Sequence, residues 1–81
     1  MPKSPVLTGK EMLKFLEWLG FTIVRTKGSH YRLRHADGRI TTVAVHGNTP
    51  LPVGTMHKII YHDLGLDNER FGQMLNDFHK R

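Results

Sequence analysis

The sequence predicts an α+β protein, a two-layer sandwich of order α-β-β-β-α with a three-stranded antiparallel sheet and an extra C-terminal helix. Three observations lead there. A capped amphipathic segment comes first, three short segments rich in β-branched and aromatic residues follow between turn residues, and two segments at helical spacing close the chain. At 81 residues one compact domain with a single core is expected, with the core over residues 8–66 and the last helix over residues 67–79.

After a short tail containing Pro2 and Pro5, residues 8–11 (TGKE) match a capping box, with Thr8 capping the helix and Glu11 bonding back. Met12, Leu13, Phe15, Leu16 and Leu19 then recur at helical spacing, and Gly20 suits the left-handed conformation that ends a helix. Trp18 lies beside this stripe, where packing at the core rim is expected of it. Residues 21–25 (FTIVR) read as the first strand and TKGS as the turn after it. Residues 30–35 (HYRLRH) alternate, with Tyr31 and Leu33 on one face and His30, Arg32 and Arg34 on the other. Residues 40–45 (ITTVAV) form the third strand.

Loop length sets the pairing of these last two strands, because a slip of one residue moves every side chain to the other face. A two-residue Asp37-Gly38 turn would pair Arg32 with Val43, a charge among apolar residues. A three-residue Ala36-Asp37-Gly38 loop, closed by Gly38 in the left-handed region, pairs Tyr31 with Val43 and Arg32 with Thr42. The longer loop is expected. It gathers Tyr31, Leu33, Val43 and Val45 on a core face and His30, Arg32, Arg34, Thr42 and His46 on an open one.

The glycines, asparagine and two prolines of HGNTPLPVG forbid regular structure until about residue 53. Val53, Met56, Ile59, Ile60 and Leu64 then predict one helix, stopped by Gly65. Asp67 is a good N-cap for the last helix, whose Phe71, Met74, Leu75 and Phe78 are expected to pack on the core.

Lys and Arg total 12 against 7 Asp and Glu, a net charge of +5, which points to a polyanionic partner, nucleic acid being the commonest. The absence of cysteine excludes disulfide scaffolds, thiolate zinc sites and cysteine nucleophiles. No apolar run suits a signal peptide or approaches the roughly 20 residues of a membrane span, so a soluble cytoplasmic protein with no membrane partner is expected.

The 6 histidines raise the question of a metal. His57 and His62 stand about 140° apart on a helix, and no H-E-x-x-H motif or carboxylate cluster accompanies them, so no metal or other cofactor is expected. His35, His57, His62 and His79 read as ordinary surface or half-buried histidines. His30 differs in its setting. It follows Lys27, Gly28 and Ser29 and shares a face with Arg32 and Arg34, which together supply cations, a hydroxyl and exposed amides for a phosphodiester, and one group that titrates near neutrality. RNA brings its own nucleophile, the 2′-OH, so one well-placed base can start cleavage without a metal. The plain alternative is that His30 hydrogen-bonds across the sheet, and spacing alone leaves both open. His46 falls at the edge of the same face, near Ser29. Lys27, Arg32 and Arg34 suit phosphate binding better than catalysis, since arginine stays protonated.

The run GKEMLKFLEWLGFTIVRTKGSHYRLRHADGR, then TTVAVHGN, a proline-flanked loop and VGTMHKII resemble the HicA toxin family over residues 8–66. The resemblance implies a double-stranded-RNA-binding-domain-like fold and a messenger-RNA interferase that works without the ribosome. It places the catalytic histidine of the family's GSH motif at His30, after Gly28 and Ser29. It also implies inhibition by a HicB-type antitoxin protein that covers the active face. Ala36 stands where proline is frequent, and the extension past Leu66 is less standard for the family. Two other functions compete with this one. A non-catalytic RNA-binding module would grip phosphates with the same face, whereas DNA recognition by residues 53–64 is weakened by their having only Lys58 as a lasting cation.

Overall fold

A computed structural model describes residues 6–80, so the tail with Pro2 and Pro5 and both ends of the expected domain lie outside the described residues. The elements run α1 (Gly9–Trp18), β1 (Thr22–Lys27), β2 (His30–Arg34), β3 (Ile40–Ala44), α2 (Val53–His57) continuing into a π-helical segment (Lys58–Asp63), and α3 (Asn68–Lys80). The strands form one antiparallel sheet with β2 in the centre.

The first helix starts as its sequence demands. The Glu11 amide donates to Thr8 Oγ1 at 3.1 Å while the Thr8 amide donates to Glu11 Oε1 at 2.9 Å, so two of the helix's orphan amides are satisfied reciprocally. Gly20 at φ 104° turns the chain into the sheet. Met12, Phe15 and Leu16 are buried, and Gly9 seats the first turn directly on the β3 backbone, where a methyl group would collide with the Ala44 carbonyl.

The β2–β3 hairpin has the three-residue loop. Tyr31 pairs with Val43 and Arg32 with Thr42, the His35 amide donates to the Arg39 carbonyl at 2.9 Å, and Gly38 has φ 99°. Asp37 accepts from the Arg39 amide at 3.0 Å and from Arg39 Nε at 2.8 Å. The same guanidinium donates to the Leu64 carbonyl at 2.8 Å and lies over the Phe21 ring, tying the hairpin to the end of the π segment. Leu33 and Val43 are fully buried and Tyr31 and Val45 half-buried, on the helix side. Thr41 also points inward and satisfies its hydroxyl by donating to Asp63 Oδ2 at 2.9 Å.

Two expectations about element limits need correction. The first strand does not end at Arg25 but runs on through Thr26 and Lys27, because Gly28 at φ 59° makes the turn in two residues and leaves Lys27 paired with His30. A positive φ at the first turn residue alone is the type II′ pattern, whose twist matches the strands it joins. The helix expected from residue 53 to 64 changes to π geometry at Lys58, with the Leu64 amide donating to the Ile59 carbonyl five residues back at 2.8 Å. That wider turn brings Ile59 and Leu64 to one side, and both are buried together with Ile60.

Asp67 caps α3 through the Arg70 amide at 2.7 Å. Phe71 and Phe78 meet Phe15 edge-on, with ring centroids 5.8 and 5.5 Å away. Trp18, 40% exposed, stacks on Phe15 at the rim of this group. The C-terminal helix is therefore part of the same hydrophobic cluster as the sheet and α1. No helix among the described residues is long and apolar enough to cross a membrane.

Candidate functional site

All helices pack on one side of the sheet, so its other side is open. Pairing places the outer residues in three rows. Lys27, His30 and Ala44 form the first, Arg25, Arg32 and Thr42 the second, and Thr22, Arg34 and Ile40 the third. Successive rows lie about 7 Å apart along the strands, and neighbours within a row have Cβ atoms about 5 Å apart. His30, Arg32, Arg34, Arg25 and Lys27 are all exposed.

A bulge in β1 puts Ile23 on the opposite face from these cations. In a regular strand Ile23, Arg25 and Lys27 would share a face, because side chains alternate with period two. Here Val24 is an extra residue between the Ile23↔Leu33 and Arg25↔Arg32 pairs. Ile23 therefore faces the helices while Arg25 and Lys27 face outward. Sequence reasoning missed Arg25. The available signal was the adjacent apolar pair Ile23-Val24, which interrupts the alternation that R-T-K resumes.

The face is also electrostatically unbalanced. Among the described residues the ion pairs gather around Asp37 and Asp63, and none involves Arg25, Lys27, Arg32 or Arg34. Arg25 stands directly opposite Arg32, an arrangement that costs stability in the free protein. Four cations without counter-charges on one open surface suit a ligand that brings several negative charges of its own.

His30 opens β2 straight after the Gly28-Ser29 turn, which is stapled to the far strand by the Val45 amide donating to the Ser29 carbonyl at 2.8 Å. A Cβ at Gly28 would meet nothing within 4 Å, so the turn is open to an approaching ligand and the glycine is required by its φ alone. No hydrogen bond, ion pair or ring contact engages the His30 side chain among the described residues. The cross-sheet hydrogen bond that would make it merely structural is not formed.

His46 is exposed just past β3, beside the turn, and its carbonyl accepts from the Thr49 amide at 3.0 Å. It lines a groove of about 270 Å³ together with Ala44, Thr49, Pro50, Leu51, Pro52 and Thr55. Arg34 lines a shallower depression with Gly20, Thr22, Val24, His35 and Ala36 at the opposite end of the sheet. The structure thus gathers Lys27, Gly28, Ser29, His30, Arg32 and His46 at one end of the outer face and sets Arg34 at the other.

The remaining histidines are occupied elsewhere. His35 Nε2 donates to the Leu19 carbonyl at 3.2 Å and its ring meets Phe21, His62 bonds Asp63 at 2.8 Å, His57 packs by Tyr61 and His79 by Phe78. Among the described residues no three His, Cys, Asp or Glu side chains converge as metal ligands would.

Comparison with known proteins fits this architecture to a family. No curated protein matches the chain. A family model described as "HicA toxin of bacterial toxin-antitoxin" matches residues 9–66, from the first residue of α1 to just past the π segment and so across the whole sheet. The match covers well over half of the chain, which therefore belongs to the HicA family of toxins from bacterial toxin–antitoxin systems.

Proposed function

We propose that the protein is an endoribonuclease that cleaves messenger RNA through His30 without a metal. The observation that carries this reading is an exposed imidazole with no hydrogen bond among the described residues, standing in the same row as Lys27 and next to the Arg25–Arg32 row. A phosphodiester at the first row would lie between His30 and Lys27. His30 takes the proton from a ribose 2′-OH, the 2′ oxygen attacks the adjacent phosphorus, and the bond from phosphorus to the 5′ oxygen of the next nucleotide breaks, that oxygen taking a proton from solvent water. The products are a 2′,3′-cyclic phosphate and a 5′-hydroxyl. Lys27 and Arg32 lower the barrier by offsetting charge that grows on the phosphoryl oxygens, and Arg25 and Arg34 hold neighbouring phosphates.

Incubation with RNA tests this directly. The wild type should cleave with chelator present and leave cyclic or 3′-phosphate ends. His30→Ala should lose about 10² to 10⁴ in rate, the usual worth of a general base, while retaining affinity. A fully active His30→Ala protein, or products with 3′-hydroxyl ends, would overturn the mechanism. Intact RNA after incubation with the wild type, bound with strong salt dependence, would instead support a non-catalytic RNA-binding module. The same cationic face suits an acidic antitoxin of the HicB type, whose complex should weaken with salt and with charge reversal at Lys27 and Arg32.

A further inference from the structure

We propose that the groove between the end of β3 and the loop before α2 is the subsite for the base of a nucleotide flanking the scissile phosphate. The assignment rests on the ribonuclease reading of His30.

Position is the first argument. Ala44 lines the groove and is also the strand neighbour of His30 on the outer face. A phosphodiester between Lys27 and His30 therefore has the groove one strand further across the sheet, within reach of an attached nucleoside. His46, two residues beyond Ala44, continues the same face into the groove wall.

Chemistry is the second. The lining is apolar at Ala44, Pro50, Leu51 and Pro52, with hydroxyls at Thr49 and Thr55 and one ring at His46. Flat faces for stacking and a few hydrogen-bonding groups at the edge are what an unstacked base requires. Among the described residues no Lys or Arg lines the groove, which gives them no lasting cation there for a phosphate. The cations lie on the other side of His30, which divides the surface into a backbone track and a base pocket. The volume of about 270 Å³ falls below the roughly 300–1,000 Å³ of drug-sized sites and suits one base.

The pocket is also preformed. The Leu51 amide donates to the Leu7 carbonyl at 2.8 Å, Pro50 bridges to Thr8, and the Thr49 amide closes a turn on His46. Two prolines stiffen the rim between these anchors. A rigid, shape-limited pocket beside the reacting phosphate selects among bases, which a cationic track does not.

The test uses the full chain carrying His30→Ala, titrated by two-dimensional NMR with the four nucleoside 3′-monophosphates and with ribose 5-phosphate, which has no base. The nucleotides should shift the amides of Ala44, Thr49, Leu51 and Thr55 with at least a fivefold spread of affinity among bases, and ribose phosphate should leave them still. Thr55→Phe, which narrows the groove, should abolish those shifts, keep the shift at Lys27 and, with His30 restored, flatten the nucleotide preference next to the cut. Shifts confined to Lys27 and Arg32 for every ligand overturn the subsite, as does a groove that responds only to antitoxin. Groove shifts with a wild type that leaves RNA whole would keep the base site and remove the nuclease. Cleavage of RNA with a silent groove would do the reverse.

Discussion

Arg25 supplies the sharpest test, because it faces outward opposite Arg32 in the register that the Gly28 turn sets, next to the bulge at Val24. If the backbone track consists of Arg25, Lys27, Arg32 and Arg34, binding of single-stranded RNA releases the counterions of four phosphate contacts. At about −0.7 per contact the slope of log affinity against log salt is about −2.8, and affinity falls roughly 50-fold between about 50 and 200 mM. Arg25→Ala should bring the slope to about −2.1 and the fall to roughly 20-fold. Lys14→Ala, on the exposed side of α1 in the helix layer, should leave it at the original value. Fluorescence anisotropy of a labelled RNA, read in a His30→Ala background so that the strand stays whole, measures both slopes. An unchanged slope for Arg25→Ala, or an equal drop for Lys14→Ala, would refute the assignment of this face.

Other consequences concern the frame behind the face. Gly9→Ala should destabilise the protein by about 1–3 kcal/mol in denaturant titration, since the added methyl collides with the Ala44 carbonyl on backbone that cannot step aside. An unchanged midpoint would mean that α1 does not seat on β3 as described. Phe71→Ala should cost about 3–5 kcal/mol by opening the cluster around Phe15, so a chain cut at residue 66 should lose cooperative unfolding even though it keeps the family's matched segment. Asp37 is held below the ordinary carboxylate value chiefly by the Arg39 amide and then by its guanidinium, partly opposed by desolvation. A depressed carboxylate stabilises the fold above its unfolded value and loses that contribution as pH falls through the folded one. Thermal melts below about pH 4 should therefore show a shallower acid limb for Asp37→Asn, by a small margin because the group is exposed. Parallel limbs would contradict this.

What could be read from the chain before its structure was whatever local chemistry enforces. TGKE starts α1 because the two side chains and two amides involved lie within one helical turn, and Gly38 closes a three-residue hairpin loop because a two-residue turn would pair Arg32 with Val43. From that single register the alternation of β2 and β3 follows, and with it the shared face of His30, Arg32, Arg34 and Thr42. The cap at Asp67 and the burial of Phe71, Leu75 and Phe78 were legible for the same reason.

The rest depended on contacts between residues far apart in sequence. Ile23 pairs with Leu33 on the helix side and Lys27 with His30 on the outer one, and these two pairings are out of step by one residue, so the strand absorbs the difference at Val24. Reading the strand as ending at Arg25 leaves the pairing of Lys27 with His30 out of account, and with it the register that turns Arg25 outward. The groove beside His30 has the same origin. Its walls come from the end of β3 and a proline loop held by Leu7 and Thr8, more than 40 residues earlier in the chain. Side-chain period and capping are properties of a few successive residues, whereas a bulge or a cavity is the remainder left when separately satisfied elements are packed together.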